Sequence, residues 1–149
     1  MDADSVAYIR PARPSDSAAI LALVAESGLP VDDLDDASRA LFLVAELGSE
    51  IAGCAGIELT GIHALVRSLA VKPALRGGGI GARLLDATEQ LCRQHGVRFA
   101  YLLTLTAEQF FTLRGYQRIE RQDSPPGISS TTEFTTTCPA SSVLMTKRL

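Results

Sequence analysis

The chain has 149 residues, 46% of them hydrophobic and 21% charged, with a net charge of −3 and a pI near 5.3. That length and composition fit one domain over 1–149 with a single substantial core. The acidic balance leaves no footprint for nucleic acid, and no apolar run approaches the ~18 residues of a membrane span.

In chain order, the opening Met-Asp-Ala-Asp-Ser lacks the basic and apolar regions of a signal peptide. Residues 6–10 alternate weakly and read as a first strand. Pro14 suits a first helical position, Asp16 falls in the first turn, and Ile20, Leu23 and Val24 form an apolar stripe ended by Gly28. The acidic stretch 31–38 reads as a solvated loop or short helix over a substrate entrance. Strands are expected over 41–46 and 51–59, joined through Gly48-Ser49, and again over 63–71. Ile80, Leu84, Thr88 and Leu91 recur at helical spacing, so a helix spans 80–94 and stops at Gly96. The apolar run 99–105 has strand length. Thr106 with Gln109 forms a capping box for a short helix carrying Phe110 and Phe111 and ended by Gly115. Residues 116–120 and 143–149 supply the last strands, separated by a long Pro- and Thr/Ser-rich connection. A hairpin followed by two strand–helix–strand crossovers implies an α/β fold with mixed pairings. Cys54, Cys92 and Cys138 are odd in number and widely spaced, matching neither a zinc pattern nor a disulfide framework. A reduced, cytoplasmic setting is expected, and with His63 and His95 the only histidines no metal is.

The segment from Arg67 to Leu85 carries the chemistry. Pro73 ends the strand of Leu69, Ala70 and Val71, since proline cannot donate to a ladder and biases Lys72 to an extended conformation. Arg76 and the glycines Gly77, Gly78, Gly79 and Gly81 then lead into the helix. Without Cβ atoms such a loop turns its N–H groups inward, and the helix N-terminus behind it adds unpaired donors and the positive end of a dipole. The result is an anion site, with pyrophosphate as the expected anion and Arg76 as a bidentate partner. A Walker loop is excluded because no lysine follows the glycines. A dinucleotide fingerprint is excluded because Leu84 follows the Gly79/Gly81 pair and the next strand ends at Thr104 rather than an acid. What remains is Arg-Gly-x-Gly-x-Gly, formed by Arg76, Gly77, Gly79 and Gly81.

Placed after an extended Leu-Ala-Val-x-Pro, that pattern resembles the acetyl-CoA loop of the GNAT N-acetyltransferase superfamily, and the element order is similar to the GNAT fold over nearly the whole chain. Residues 65–71, 101–104, 107–111 with Gly115-Tyr116, Glu133-Phe134, Cys138-Pro139 and 145–149 further resemble the small acetyltransferases of bacterial arsenic-resistance operons, relatives of N-acetylglutamate synthase. The resemblance implies a mixed, mostly antiparallel sheet with a splayed central strand pair and helices on both faces. It also implies acetyl-CoA as cosubstrate, a small-molecule amine as acceptor, and a monomer or homodimer. Backbone groups of Leu69, Ala70 and Val71 would pair with the pantetheine amides. Amides from Arg76 through Gly77, Gly78, Gly79, Ile80 and Gly81 to Ala82 would hold the pyrophosphate. The N–H of Ala70 or Leu69 would face the developing oxyanion.

Two departures from the family bear on proton transfer. Leu65 stands where histone-acetylating relatives carry a glutamate base, and Phe111 where many carry a tyrosine acid. Glu58 and His63 are candidates for a water-relayed base, or ordinary surface residues. Tyr116 either reaches the thiolate or packs in the core. Alternation places Arg67 on the face of Leu69. A buried-strand arginine needs an anion: a substrate carboxylate, favoured by analogy with relatives that acetylate amino acids, or Glu58 or Glu133. Thr104 either donates its hydroxyl to acceptor or pantetheine, or fills the sheet. Cys138 is a single thiol without close partners, a poor site for arsenic. The expected function is acetyl-CoA-dependent N-acetylation of a small amino acid-like amine, linked to arsenic or toxic-amine resistance. A non-catalytic acetyl-CoA-binding sensor on the same fold is the alternative, and acetylation of a peptide terminus a third.

Overall fold

Runs of apolar residues at strand length, punctuated by Gly48-Ser49, Gly61 and Pro73, fold into a seven-stranded sheet with helices on both faces. In the computed structural model, residues 6–29, 40–131 and 141–149 are described. The acidic stretch 31–38, Glu133, Phe134 and Cys138 lie outside them. The strands are β1 (Tyr8–Pro11), β2 (Ala40–Leu47), β3 (Glu50–Thr60), β4 (His63–Val71), β5 (Phe99–Thr104), β6 (Gln117–Arg118) and β7 (Val143–Arg148). The helices are α1 (Ser17–Glu26), α2 (Ile80–Gln94), α3 (Glu108–Thr112) and α4 (Pro126–Ser129).

The sheet order is β1-β2-β3-β4-β5-β7-β6. Among the described residues β4 and β5 form the only parallel pair, through the α2 crossover. The second expected crossover does not make one, because β6 docks on β7 rather than on β5. On one face α2 and α3 bury Leu85, Cys92 and Phe111 against Ala64, Val66 and Leu102. On the other, Ile20, Leu23 and Val24 of α1 cover Val44, Cys54 and Ala70, while Ile128 of α4 covers Leu65, Tyr101 and Leu144.

One irregularity sets the geometry of everything downstream. Register along β3 and β4 passes from Gly56 opposite Arg67 to Cys54 opposite Ala70, so Ser68 and Leu69 together face Ala55. This is a β-bulge, with Ser68 in the left-handed region at φ 55°. The thiol of Cys54 donates to the Ser68 carbonyl at 3.3 Å, giving it an acceptor role that the broken ladder does not supply. Burial pushes the Cys54 thiol up to about 12, which keeps it protonated for that bond. The extra residue also reverses side-chain parity. Leu69 packs toward α2, beside Val66 and Leu84, whereas Arg67 lies with Leu65 on the opposite face. The expectation that Arg67 and Leu69 share a face is therefore corrected: alternation holds only while register is unbroken.

Asp16 also does more than favour a helix start. It accepts from the Arg10 guanidinium at 2.8 Å and from the Arg13 N–H at 2.7 Å, tying β1 to the turn before α1. The Arg10 hydrogen bonds, followed by that backbone donor, hold its carboxyl at about 2.

Candidate functional site

Strands β4 and β5 pair only through His63–Phe99, Ala64–Ala100 and Leu65–Tyr101. Beyond Leu65 they diverge, β4 staying with β3 as far as Val71 and β5 staying with β7 as far as Thr104. The divergence is the splay implied by the family resemblance, and it opens a cleft of about 910 Å³. Its walls are Leu69, Ala70 and Val71 on one side, Leu103, Thr104 and Leu105 on the other, with Arg76, Gly77, Gly79, Ile80, Gly81 and Ala82 at one end. Of the expected loop residues only Gly78 does not line it.

Backbone direction along β4 follows from one bond. The Lys72 N–H donates to Ala52 of β3 at 2.8 Å, so Ala70, two residues back, also faces β3. Leu69 and Val71 then aim their backbone groups into the splay. The Val71 carbonyl confirms this direction by accepting from Arg76 Nε at 3.0 Å. Of the two expected oxyanion donors, it is the Leu69 N–H that points into the cleft.

At the loop, Gly77 and Gly79 adopt φ of 86° and 89°, and neither would meet a heavy atom within 4 Å if it carried a Cβ. The requirement for glycine is thus conformational, and the concavity is open. Gly79 is the N-cap of α2 and supplies no side chain, so the first-turn N–H groups of Ile80, Gly81 and Ala82 remain uncapped. Arg76 reaches over the end of α1 with its Nη2 3.3 Å from Ser27 Oγ. Among the described residues no aspartate or glutamate lines the cleft. An open amide-lined loop, a helix N-terminus and guanidinium groups without a carboxylate suit a phosphate-bearing ligand.

The residues expected to handle the acceptor are placed differently. Arg67 is buried and donates to Glu58 at 3.0 Å and to Ser68 Oγ at 3.3 Å. Of the anionic partners considered for it, the protein carboxylate of Glu58 meets it among the described residues, and Glu133 lies outside them. Neither Arg67 nor Glu58 lines the cleft. Glu58 stands opposite Leu65, roughly 13 Å along β4 from Leu69. His63 begins β4, about 20 Å from Leu69, and packs against the Phe99 and Tyr101 rings. The Tyr116 hydroxyl donates to Glu89 at 3.0 Å in the core. Thr104 does line the cleft, but its oxygen accepts the Ala107 N–H at 3.0 Å. It thereby closes the turn into α3, the task sequence reading gave to Thr106. Buried Leu65 and Phe111 offer no proton.

Sequence reasoning missed Arg114, whose guanidinium carbon lies 3.9 Å from the centre of the Phe110 ring and which also lines the cleft. The i, i+4 spacing of Phe110 and Arg114 was the available signal. Among the described residues no three His, Cys, Asp or Glu side chains converge as metal ligands, and no helix is long and apolar enough to cross a membrane.

Residues 38–118 match the family model of an acetyltransferase (GNAT) domain. The uncharacterized N-acetyltransferase CT2212 of Chlorobaculum tepidum is 35% identical over 88 residues, 58% of this chain and 56% of that protein. The chain thus spans little more than half the length of that relative. N-acetylglutamate synthase from Neisseria gonorrhoeae, complexed with coenzyme A and N-acetyl-glutamate, superposes with a TM-score of 0.82 at 23% identity, over 97% of this chain and 35% of that one. Rv2747 from Mycobacterium tuberculosis, in complex with CoA and NLQ, superposes with a TM-score of 0.79 at 25% identity, over 95% and 99%.

Proposed function

The chain belongs to the GNAT acetyltransferase family, and on that premise we propose that it transfers the acetyl group of acetyl-CoA to the amine of a small amino acid-like acceptor. The observation that carries the proposal is the splay of β4 from β5 above an open glycine loop, in a cleft lined, among the described residues, by arginines and no carboxylate. Amides of Gly77, Gly79, Ile80, Gly81 and Ala82, with Arg76, hold the pyrophosphate; Gly78 shapes the loop. The backbone groups of Val71 and Leu69, unused by β3, hold the pantetheine arm. The acetyl thioester supplies the electrophile. The Leu69 N–H faces the oxygen on which negative charge develops, which is where a fixed donor lowers the barrier most. Ala70 anchors the strand to β3 and keeps that N–H in place. Glu58 positions Arg67 rather than taking a proton itself. An acceptor amine bound beside the thioester attacks its carbonyl and gives up a proton to water, and as the C–S bond breaks the CoA thiolate leaves and takes a proton from water.

The acceptor class rests on similarity to a synthase crystallised with N-acetyl-glutamate, so glutamate heads the panel to be tested. Isothermal calorimetry with acetyl-CoA, followed by thiol-release assays over free amino acids and toxic amines, tests the proposal. Binding with acetyl transfer to an amino acid is expected. Absence of acetyl-CoA binding overturns it. A second reading, a non-catalytic acetyl-CoA sensor, is favoured by one observation: among the described residues no carboxylate, histidine, cysteine or tyrosine side chain lines the cleft. Binding without transfer to any amine would select it. The link to arsenic or toxic-amine resistance is tested by the amine arm of the same panel.

A further inference from the structure

We infer that Arg114 recognises the 3′-phosphate of coenzyme A and so lets the cleft distinguish the full cofactor from its 3′-dephospho form. The inference rests on the reading of the cleft as an acetyl-CoA site.

Arg114 follows α3 and precedes Gly115, whose φ of 96° turns the chain toward β6. Its side chain folds back along the helix. One N–H donates to the Phe110 carbonyl at 2.9 Å, and the guanidinium lies over the Phe110 ring. The Phe110 ring in turn abuts the start of α2, since a Cβ at Gly81 would lie 3.6 Å from its Cζ. Arg114 therefore stands one aromatic ring away from the uncapped N-terminus that holds the pyrophosphate. Its remaining N–H groups have no acceptor among the described residues, and it forms no ion pair there. Arg10 and Arg67, by contrast, are both matched to carboxylates. A guanidinium that is half-buried, held rigid by stacking and left without a counter-ion is preorganised for an anion supplied from outside.

Charge counting identifies that anion. Arg76 and Arg114 share one cleft, and among the described residues no acidic side chain lines it. The pyrophosphate is a single linked unit and is served by the loop amides, the α2 N-terminus and Arg76. A second, separate anion is needed for Arg114. Coenzyme A carries one, the monoester on the ribose 3′ oxygen, whose two charges and three terminal oxygens suit a planar fork of donors.

Calorimetry with CoA and with 3′-dephospho-CoA tests this on the wild type and on Arg114→Gln and Arg114→Lys. The wild type is expected to bind CoA about 10- to 100-fold more tightly than 3′-dephospho-CoA, the range of one charge-assisted contact. Arg114→Gln should erase that preference by weakening CoA alone, and Arg114→Lys should keep part of it. Raising salt should shrink the wild-type preference. Equal wild-type affinities overturn the inference without any variant. So does an Arg114→Gln protein that weakens both ligands equally, the result for a side chain that merely pins α3. A wild type that binds neither ligand overturns the acetyl-CoA reading instead, which keeps the two failures distinct.

Discussion

Arg67 offers the sharpest test of how structure revises the sequence reading. Its side chain is 3% exposed and that of its partner Glu58 16%, with 3.0 Å between guanidinium and carboxylate. Glu58 sits across from Leu65 on β3, so the pair ties β3 to β4 beside the bulge. Removing one partner of a buried pair costs about 3–5 kcal/mol, because the other charge is left desolvated. The partial exposure of Glu58 places Arg67→Ala near the lower end, about 3 kcal/mol. For a domain of this size each kcal/mol shifts Tm by roughly 3 °C, so a fall of about 9 °C is expected. Glu58→Gln keeps an oxygen acceptor and loses only charge, so about half that fall should result. Arg67→Met with Glu58→Leu removes both charges and should recover most of the loss, since the pair itself is costly to desolvate. Urea denaturation of the four proteins gives the coupling energy directly. The acceptor KM of Arg67→Ala should change less than threefold. An unchanged Tm with an acceptor KM raised a hundredfold would refute the reasoning and restore Arg67 as the reader of a substrate carboxylate.

Three further outcomes follow from the same geometry. Asp16 titrates at about 2 in the fold and near 3.9 in an unfolded chain. Its contribution is therefore present above about pH 4 and lost as pH falls toward 2, and Asp16→Asn should flatten the Tm profile across that window; an unaltered profile would count against the Arg10 pairing. Gly79→Val places a branched side chain at φ 89° in the open loop, so calorimetry should show at least a hundredfold loss of acetyl-CoA affinity, and an unchanged Kd rules the loop out. Tyr116→Phe removes one donor from buried Glu89, which keeps Lys147 at 2.8 Å. Stability should fall by about 1–2 kcal/mol with kcat unchanged, whereas a kcat loss larger than tenfold would make Tyr116 the acid.

Much of the scaffold was legible because its boundaries are written in local chemistry. Proline at 73 and glycine at 96 stop β4 and α2 by backbone constraints that no distant residue has to confirm, and the helix Ile80–Gln94 and strand His63–Val71 fall at their expected limits. The glycine loop ahead of α2 was legible for the same reason. Gly77 and Gly79 are needed at φ values near 90°, and that need is local. The acceptor side was not legible, because Arg67 finds its partner nine residues away across a hairpin, and a strand pattern cannot say which carboxylate a register will deliver. Thr104 and Thr106 show the same limit on a smaller scale. Thr106 is two residues and Thr104 four residues before the α3 start, and only the path of the turn decides which oxygen meets the Ala107 N–H.

The bulge joins these threads. Nothing in Arg67-Ser68-Leu69 marks a left-handed serine, yet the partner strand carries a trace of it. Gly53 and Gly56 interrupt the apolar stretch 51–57 of β3, and glycine inside a strand marks a bulge or a close approach. A Cβ at Gly53 would lie 2.8 Å from Leu84 Cδ1 and 3.0 Å from the Ala70 carbonyl, while one at Gly56 would lie 2.8 Å from the Phe42 ring. The two glycines let α2 and Phe42 close on β3 on either side of the residue where register slips. With β3 held that tightly, the extra residue is accommodated on β4, and the parity change turns the Leu69 side chain to α2 and its N–H to the cleft. Without the bulge, alternation would turn the Leu69 side chain away from α2 and its N–H back toward β3, closing off the donor proposed to face the acyl group. The strained serine is thus the local cost of an amide aimed into the cleft.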